Sequence, residues 1–368
     1  MSTVASNGNG NGRGQKPRVF VAGATGAVGS LVAELLDRHP HLDLAAATSR
    51  DPDAIGKTLR EIYPEHRVDI PLSRVENLDL GSFDAAVVAY PAGPAGPLVG
   101  QLRATDLLVV DSCGDFRFSE SEVYEQWYGP HGEPDLIGEA EYGLPELRRG
   151  EIAEAKLVGN PGCYPTASIL ALAPLVGAGL VADVIIDAKS GVSGAGKRGG
   201  VAPPFIGTHD SMRPYGVPGH RHEPEIEEQL GTLGYAGDLS FVPNLIPIDQ
   251  GELVNVYVTP TKAIDADELD ALYEDAYGGE PFVEVASKPP SSRDVQRTNI
   301  CRMHPMLDHD GSRIFVFATI DNLWKGGASQ AIQNLNLMLG LPEGDGIPGG
   351  TAGAAKTVDL SDRSPVSA

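Results

Sequence analysis

The chain of 368 residues has no apolar run approaching the ~20 residues needed to cross a bilayer, so no membrane span is expected. Its first residues are rich in Gly, Asn and Ser, with no apolar segment behind the basic ones, and no secretory signal is expected either. Cysteine is scarce. Cys113, Cys163 and Cys301 are odd in number and widely spaced, which suits neither a disulfide framework nor a zinc site. The expected setting is a reducing cytoplasm, with no metal. Positive charge is also scarce: 28 Lys and Arg stand against 50 Asp and Glu, for a net charge of -22. A nucleic-acid partner demands a basic face that this balance does not supply. The acidity reads as a solubility feature and leaves small-molecule sites open, because a few local cations hold an anion against the global field. There is no internal repeat and no heptad run.

What is present is ordinary globular material, 41% hydrophobic and 21% charged, enough for a sizeable core, and the length favours two domains. Residues 1–16 are polar and without periodicity and read as a disordered leader; residues 343–368 read as a disordered tail. Between them, Arg18 to Ala22 form a short apolar run stopped by glycines. Ser30 to Leu36 follow with helical apolar spacing. Further apolar runs at 42–47, 83–90 and 107–111, alternating with helical patterns, predict a parallel, doubly wound sheet. After Cys163 comes a helix over about 166–176. The pattern then changes to longer, partly alternating strands at 184–189, 253–258 and 314–320, as in a mixed sheet. The expected fold is therefore α/β: a Rossmann-type doubly wound parallel sheet over 17–162 and a second, α+β domain on a mixed sheet over 163–324. A helical pattern over 327–339 is expected to return to the first domain, which residues 325–342 complete.

Two segments carry chemistry. Gly23-Ala24-Thr25-Gly26-Ala27-Val28-Gly29 lies between the first strand and its helix, where glycines let backbone amides approach a pyrophosphate and the helix N-terminus favours its charge. Thr48-Ser49-Arg50 ends the second strand with a cation instead of the acidic residue that would hold a ribose 2′-hydroxyl, so NADP(H) is expected over NAD. Asn160-Pro161-Gly162-Cys163-Tyr164-Pro165-Thr166 places a thiol at a helix N-terminus, a setting expected to lower its pKa. Its base is sought in Gly219-His220-Arg221-His222, a polar stretch whose two histidines alternate along an extended chain, so that only one is expected to face the thiol. Cys113 and Cys301 read as small packed hydrophobes. Ser190 to Arg198, small and flexible with two cations, is of the kind that cradles an anionic group.

As a set, the Asn160–Thr166 segment, the Ser190–Gly196 loop and Gly219-His220-Arg221-His222-Glu223-Pro224-Glu225-Ile226 resemble the N-acetyl-gamma-glutamyl-phosphate reductase family, in motif order as well as content, over about residues 17–342. Tyr142 to Leu147, Asp321 to Ala328 and Gln333 to Gly340 add to the likeness. The resemblance implies an NADPH-dependent conversion of a small acyl phosphate to an aldehyde through a cysteine thioester, with Cys163 as nucleophile and His220 as acid/base. It implies cofactor contacts from Gly23, Thr25, Gly26, Ala27, Val28, Ser49, Arg50, Ser193, Gly194 and Asn322, and substrate contacts from Arg117, Asn160, Lys197 and His222. A homodimer or homotetramer is implied too. Three segments depart from the family pattern: Tyr90-Pro91-Ala92-Gly93, Ser112-Cys113-Gly114, and Asn244 where His is usual. Aspartate-semialdehyde dehydrogenase, a carrier-protein-linked aminoadipyl or glutamyl phosphate reductase, and an inactive NADP-sensing regulator are the rival readings.

Overall fold

The computed structural model describes residues 16–195 and 210–349. Six short strands form an all-parallel sheet in the order β2-β1-β3-β4-β6-β5: β1 (Arg18–Ala22), β2 (Asp43–Thr48), β3 (Ala85–Val88), β4 (Leu108–Asp111), β5 (Ala140–Tyr142) and β6 (Leu157–Gly159). These strands are buried on both faces, which is why they read as continuous apolar runs. Helices α1 (Ala27–Asp37), α2 (Leu59–Ile62), α3 (Ala95–Arg103), α4 (Ser121–Tyr128) and α5 (Pro145–Glu154) connect them. The strand order reverses between β1 and β3, and the crevice beyond the C-terminal ends of those strands is where open α/β sheets bind ligands.

Helix α6 (Cys163–Gly177) leaves the last strand of this sheet and packs against the second one. It is apolar all round, and a helix with no polar face belongs inside. The second sheet is mixed, in the order β11-β12-β13-β10-β7-β9-β8. Its strands are β7 (Val181–Ser190), β8 (Arg213–Pro214), β9 (Asp238–Leu245), β10 (Glu252–Pro260), β11 (Val283–Val285), β12 (Cys301–Leu307) and β13 (Ile314–Ile320). Helices α6, α7 (His222–Thr232) and α8 (Ala266–Tyr277) supply the core on one face with Ile169, Leu170, Ile226 and Tyr273, against Ile186, Val254, Val256 and Val316 of the strands. The other face is half-buried, with Tyr257, Phe315 and Phe317 in contact across β10 and β13 and Ile185 exposed.

Beyond β13 the chain returns to the first domain. A turn of π-helix (Trp324–Ala328) and α9 (Ser329–Met338) pack on α1 and α5. Buried amides anchor the return: Asn334 Nδ2 donates to the Gly143 carbonyl at 2.9 Å and to Asn160 Oδ1 at 3.0 Å. The tail expected from residue 343 starts later. Glu343 pairs with Arg149 at 2.7 Å, and the Asp345 carbonyl lies 2.8 Å from His39 Nε2, so residues 343–349 are packed; the leader to residue 15 and the tail from 350 lie outside the described residues.

Candidate active site

The glycine turn is shaped by close approach. Gly23 has φ +89°, and a Cβ there would lie 2.6 Å from the Ala89 carbonyl oxygen; one on Gly29 would lie 2.2 Å from that of Gly23. The first turn of α1 carries no acidic side chain, and Thr25, Gly26, Ala27 and Val28 are half-exposed around its amides. Ser49, at the end of β2, holds Thr25 through a hydroxyl pair at 3.0 Å. The Arg50 guanidinium sits 5.5 Å from the centre of the Tyr90 ring. A glycine cradle with open helix amides and a cation at the second strand fits the pyrophosphate and 2′-phosphate of a dinucleotide. Ser193, Gly194 and Asn322 are brought together at the far rim: Asn322 Nδ2 donates to Ser193 Oγ at 3.1 Å, its Oδ1 accepts from the Gly251 amide at 2.8 Å, and Ser193 Oγ donates to the Asp249 carbonyl at 2.6 Å.

Cys163 is the first residue of α6, with Gly162 as its cap. Two glycines allow that crowding. A Cβ on Gly326 would lie 2.6 Å from the Cβ of Cys163, and one on Gly162 would lie 2.5 Å from Nε2 of His222. The Gly162 amide donates to Glu225 Oε1 at 2.9 Å; that carboxylate also accepts from the Tyr142 hydroxyl at 3.0 Å and pairs with Arg117 at 3.4 Å. Arg117 gives its Nε to the Asn160 carbonyl at 2.8 Å, and the Asn160 side chain bridges to the Gly327 carbonyl and to Asn334. Arg117 and Asn160, two of the four residues expected at the substrate, thus also hold the backbone around the cysteine. Lys197 lies outside the described residues.

The histidine segment differs from its expected form. His222 opens α7 and its backbone amide donates to His220 Nδ1 at 3.2 Å, so the two rings do not alternate along an extended chain. They stand 4.8 Å apart, and each lies 5.8 Å from the Tyr164 ring. Burial, helped by the Arg221 charge, holds His220 down at about 4. Burial also holds His222 well below the ordinary imidazole range, with His220, Arg117 and Arg221 adding to it. Both therefore hold a proton less readily than a free imidazole does. The Nδ1 of His222 is buried with no hydrogen-bond partner among the described residues.

The thiol also departs from expectation. Burial raises Cys163 well above the ordinary thiol range and the Glu252 carboxylate adds to it, outweighing the Tyr164 amide and Arg117, which act the other way. Glu252 went unnoticed in the sequence although its signal is there. In Glu252-Leu253-Val254-Asn255-Val256-Tyr257-Val258 every second residue is buried, and the glutamate shares the core face with three valines. Taking the strand to begin at Leu253 left it in the preceding loop.

Comparison with known proteins follows the same lines. The family model described as semialdehyde dehydrogenase, NAD binding domain, matches residues 18–155, and that described as semialdehyde dehydrogenase, dimerisation domain, matches residues 163–322. The N-acetyl-gamma-glutamyl-phosphate reductase of Rubrobacter xylanophilus is 43% identical over 336 residues, covering 89% of this chain and 98% of its own; that of Desulforudis audaxviator is 42% identical over 340, covering 90% and 97%. The chain belongs to the N-acetyl-gamma-glutamyl-phosphate reductase family. Among solved structures, aspartate semialdehyde dehydrogenase II of Vibrio cholerae, complexed with ASA, superposes with a TM-score of 0.69 at 19% identity, over 89% of this chain and 99% of its own. The aspartate semialdehyde dehydrogenase of Candida albicans, with NADP, gives 0.67 at 15%, over 88% and 99%. These two share the fold. The α/β architecture with a mixed-sheet second domain, expected from the strand patterns, is thus the fold of the reductase family's structural neighbours.

Proposed function

We propose that this chain reduces N-acetyl-gamma-glutamyl phosphate to the semialdehyde with NADPH, releasing phosphate, through a thioester on Cys163. One observation supports the reading: Cys163 heads α6 beside Gly162, against which the His222 ring lies, and beside the returning Trp324–Ala328 turn, which also packs on the dinucleotide helix α1. The sulfur attacks the acyl carbon and the carbon–oxygen bond to phosphate breaks with its electron pair on the leaving group. Backbone amides at the α6 N-terminus face the oxygen on which negative charge develops. His220, whose Nδ1 accepts from the His222 amide, handles the proton at that oxygen, with the His222 ring against Gly162 on the substrate side. Gly23, Thr25, Gly26, Ala27 and Val28 would hold the phosphates of NADPH, Ser49 and Arg50 its 2′-phosphate, and Ser193, Gly194 and Asn322 its nicotinamide end, and the cofactor so held would supply the hydride.

The division falls at 162/163, with residues 325–342 completing the dinucleotide domain and the mixed sheet pairing two or four subunits in the cytoplasm. Initial rates of NADPH oxidation with N-acetyl-gamma-glutamyl, aspartyl and carrier-linked aminoadipyl phosphates test the acyl group, and the first should exceed the others by at least ~100-fold, a discrimination of about 2.7 kcal/mol. Cys163→Ser should lose at least ~1,000-fold in turnover while binding NADPH as before. Equal rates on two acyl phosphates, or an active serine variant, contradict the reading.

A further inference from the structure

We propose that Glu252 is a catalytic residue, the base that takes the proton from the Cys163 thiol. The alternation of β10 sends its side chain to the core face, at the end of the strand, paired in register between Ser190 of β7 and Ile320 of β13. It is 0% exposed, and neither carboxylate oxygen is met by a donor in good hydrogen-bond geometry among the described residues. A carboxylate sealed in apolar surroundings without a partner is costly, and a stable fold retains one where the group has a task. The other sealed glutamates of the chain have partners: Glu146 has Lys325 at 2.6 Å, and Glu225 has Arg117, Tyr142 and the Gly162 amide. What lies near Glu252 is the Cys163 thiol: a Cβ on Gly326 would meet both Cys163, at 2.6 Å, and Ile320, the register partner of Glu252, at 3.3 Å, and the thiol favours the carboxylate's charged form. The carboxyl is pushed up to about 8 by burial, with Asp321 adding to it, which makes it a stronger proton acceptor than an ordinary carboxylate.

Among the described residues, the remaining titratable groups around it are Tyr164 beside the cysteine on α6, Tyr215 before the histidine segment, Asp321 after β13 and Cys301 on β12. None of the four is a cation that would fix the carboxylate in its charged form. The proton leaves Cys163 Sγ for a Glu252 oxygen as the sulfur's electron pair forms the bond to the acyl carbon and the bond to phosphate breaks. Glu252 is then neutral beside a neutral thioester. Its proton returns to the sulfur when the aldehyde is released, so the residue ends each turnover as it began. Histidine is left with the substrate oxygen, and the two proton transfers fall to two groups.

This assignment rests on Cys163 being the nucleophile, but its test needs no substrate. The rate of alkylation of Cys163 by iodoacetamide, followed by mass spectrometry of the full-length protein from pH 5.5 to 9.5, reads how the thiol loses its proton. In the wild type the rate should rise with pH to about 8, where Glu252 loses its proton, and then stay nearly level to 9.5, because transfer within the charged pair exchanges no proton with solvent. In Glu252→Gln the plateau should vanish, the rate still rising about tenfold per pH unit, and Glu252→Asp should restore part of it; NADPH affinity, measured by fluorescence, should stay within twofold in both. If Glu252 were only a buried negative charge, removing it would make the thiolate easier to form, and the glutamine variant would react as fast as the wild type or faster. That outcome overturns the proposal, as does a wild-type profile without a plateau. The Cys163→Ser turnover assay answers the separate question of the thioester, so the two failures cannot be confused.

Discussion

Glu146 and Glu252 are both sealed from solvent, yet the chain treats them in opposite ways. The first sits in the opening turn of α5, where the returning segment brings Lys325 Nζ to 2.6 Å and Gln333 Nε2 to 3.3 Å of its Oε1. Burial penalises its charge, but the Lys325 ammonium and its hydrogen bond outweigh that, and the carboxyl stays below its ordinary range. The second opens β10 on its core face, has a thiol in place of an ammonium, and is pushed up to about 8 by burial. Equal burial therefore gives a fixed charge at one site and a movable proton at the other. The partner decides. Where the fold needs a joint between the dinucleotide domain and its closing helix it supplies a counter-ion. Where the chemistry needs a base it supplies none.

Breaking the first site should have the largest effect on stability. Lys325→Met leaves Glu146 buried without its cation, which costs about 3–5 kcal/mol, read as a lowered midpoint in urea. The sign of its pH dependence is also set. In the wild type the depressed Glu146 carboxyl contributes stability that is present above its unfolded value and lost as the pH falls through its folded one. In the variant that carboxyl should titrate above its ordinary range, so the deficit should shrink on acidification to pH 5. A deficit independent of pH would mean that the lysine acts through packing alone.

The second site should give the opposite slope. Because Glu252 is held up at about 8, the folded state binds a proton that the unfolded state has lost, and stability falls as the pH rises from the ordinary carboxylate range to that value. Glu252→Gln removes the titration. Its stability relative to wild type should therefore rise with pH, by at most about 1.4 kcal/mol per unit, and level off above 8. Urea midpoints of both proteins at pH 5, 6, 7 and 8 measure it, and a constant difference would place the carboxyl back in its ordinary range.

The contrast between the two glutamates also marks what was legible in the sequence. Apolar runs stopped by glycines gave away the parallel sheet, since strands buried on both faces leave no polar alternation to confuse them. The head of α6 was legible because proline and glycine punctuate it, and the Gly23–Gly29 turn because close backbone approach leaves no other residue type possible. The short strands β5 and β6 and the polar-edged β9 and β12 were not found, because three-residue strands carry no period and Asn244, Arg302 and His304 interrupt the longer ones. Arg117 and Asn160 stand out in sequence as polar groups, but the partners that meet them across the fold, Glu225 and Asn334, are not visible there. The thiol's raised pKa was hidden for a related reason. A helix N-terminus is local and visible in sequence, whereas burial and a carboxylate from a strand some ninety positions away are not.

Glu225 offers the finest test of the distinction, since it lies next to the reacting cysteine and is nonetheless fully partnered. Its Oε1 accepts from the Tyr142 hydroxyl at 3.0 Å and from the Gly162 amide at 2.9 Å, and its Oε2 faces Arg117 at 3.4 Å. Tyr142→Phe removes one donor of three without opening a cavity, so the cost should be about 1.5 kcal/mol, at the low end for a hydrogen bond to a charged group. Because Gly162 and Arg117 still hold the carboxylate, the backbone under Cys163 should not move, and the alkylation rate of the thiol should stay within about twofold of wild type. If Tyr142→Phe slows alkylation as much as Glu252→Gln does, then the two carboxylates act on the sulfur through the same positioning, and the division of labour between a held glutamate and a free one fails.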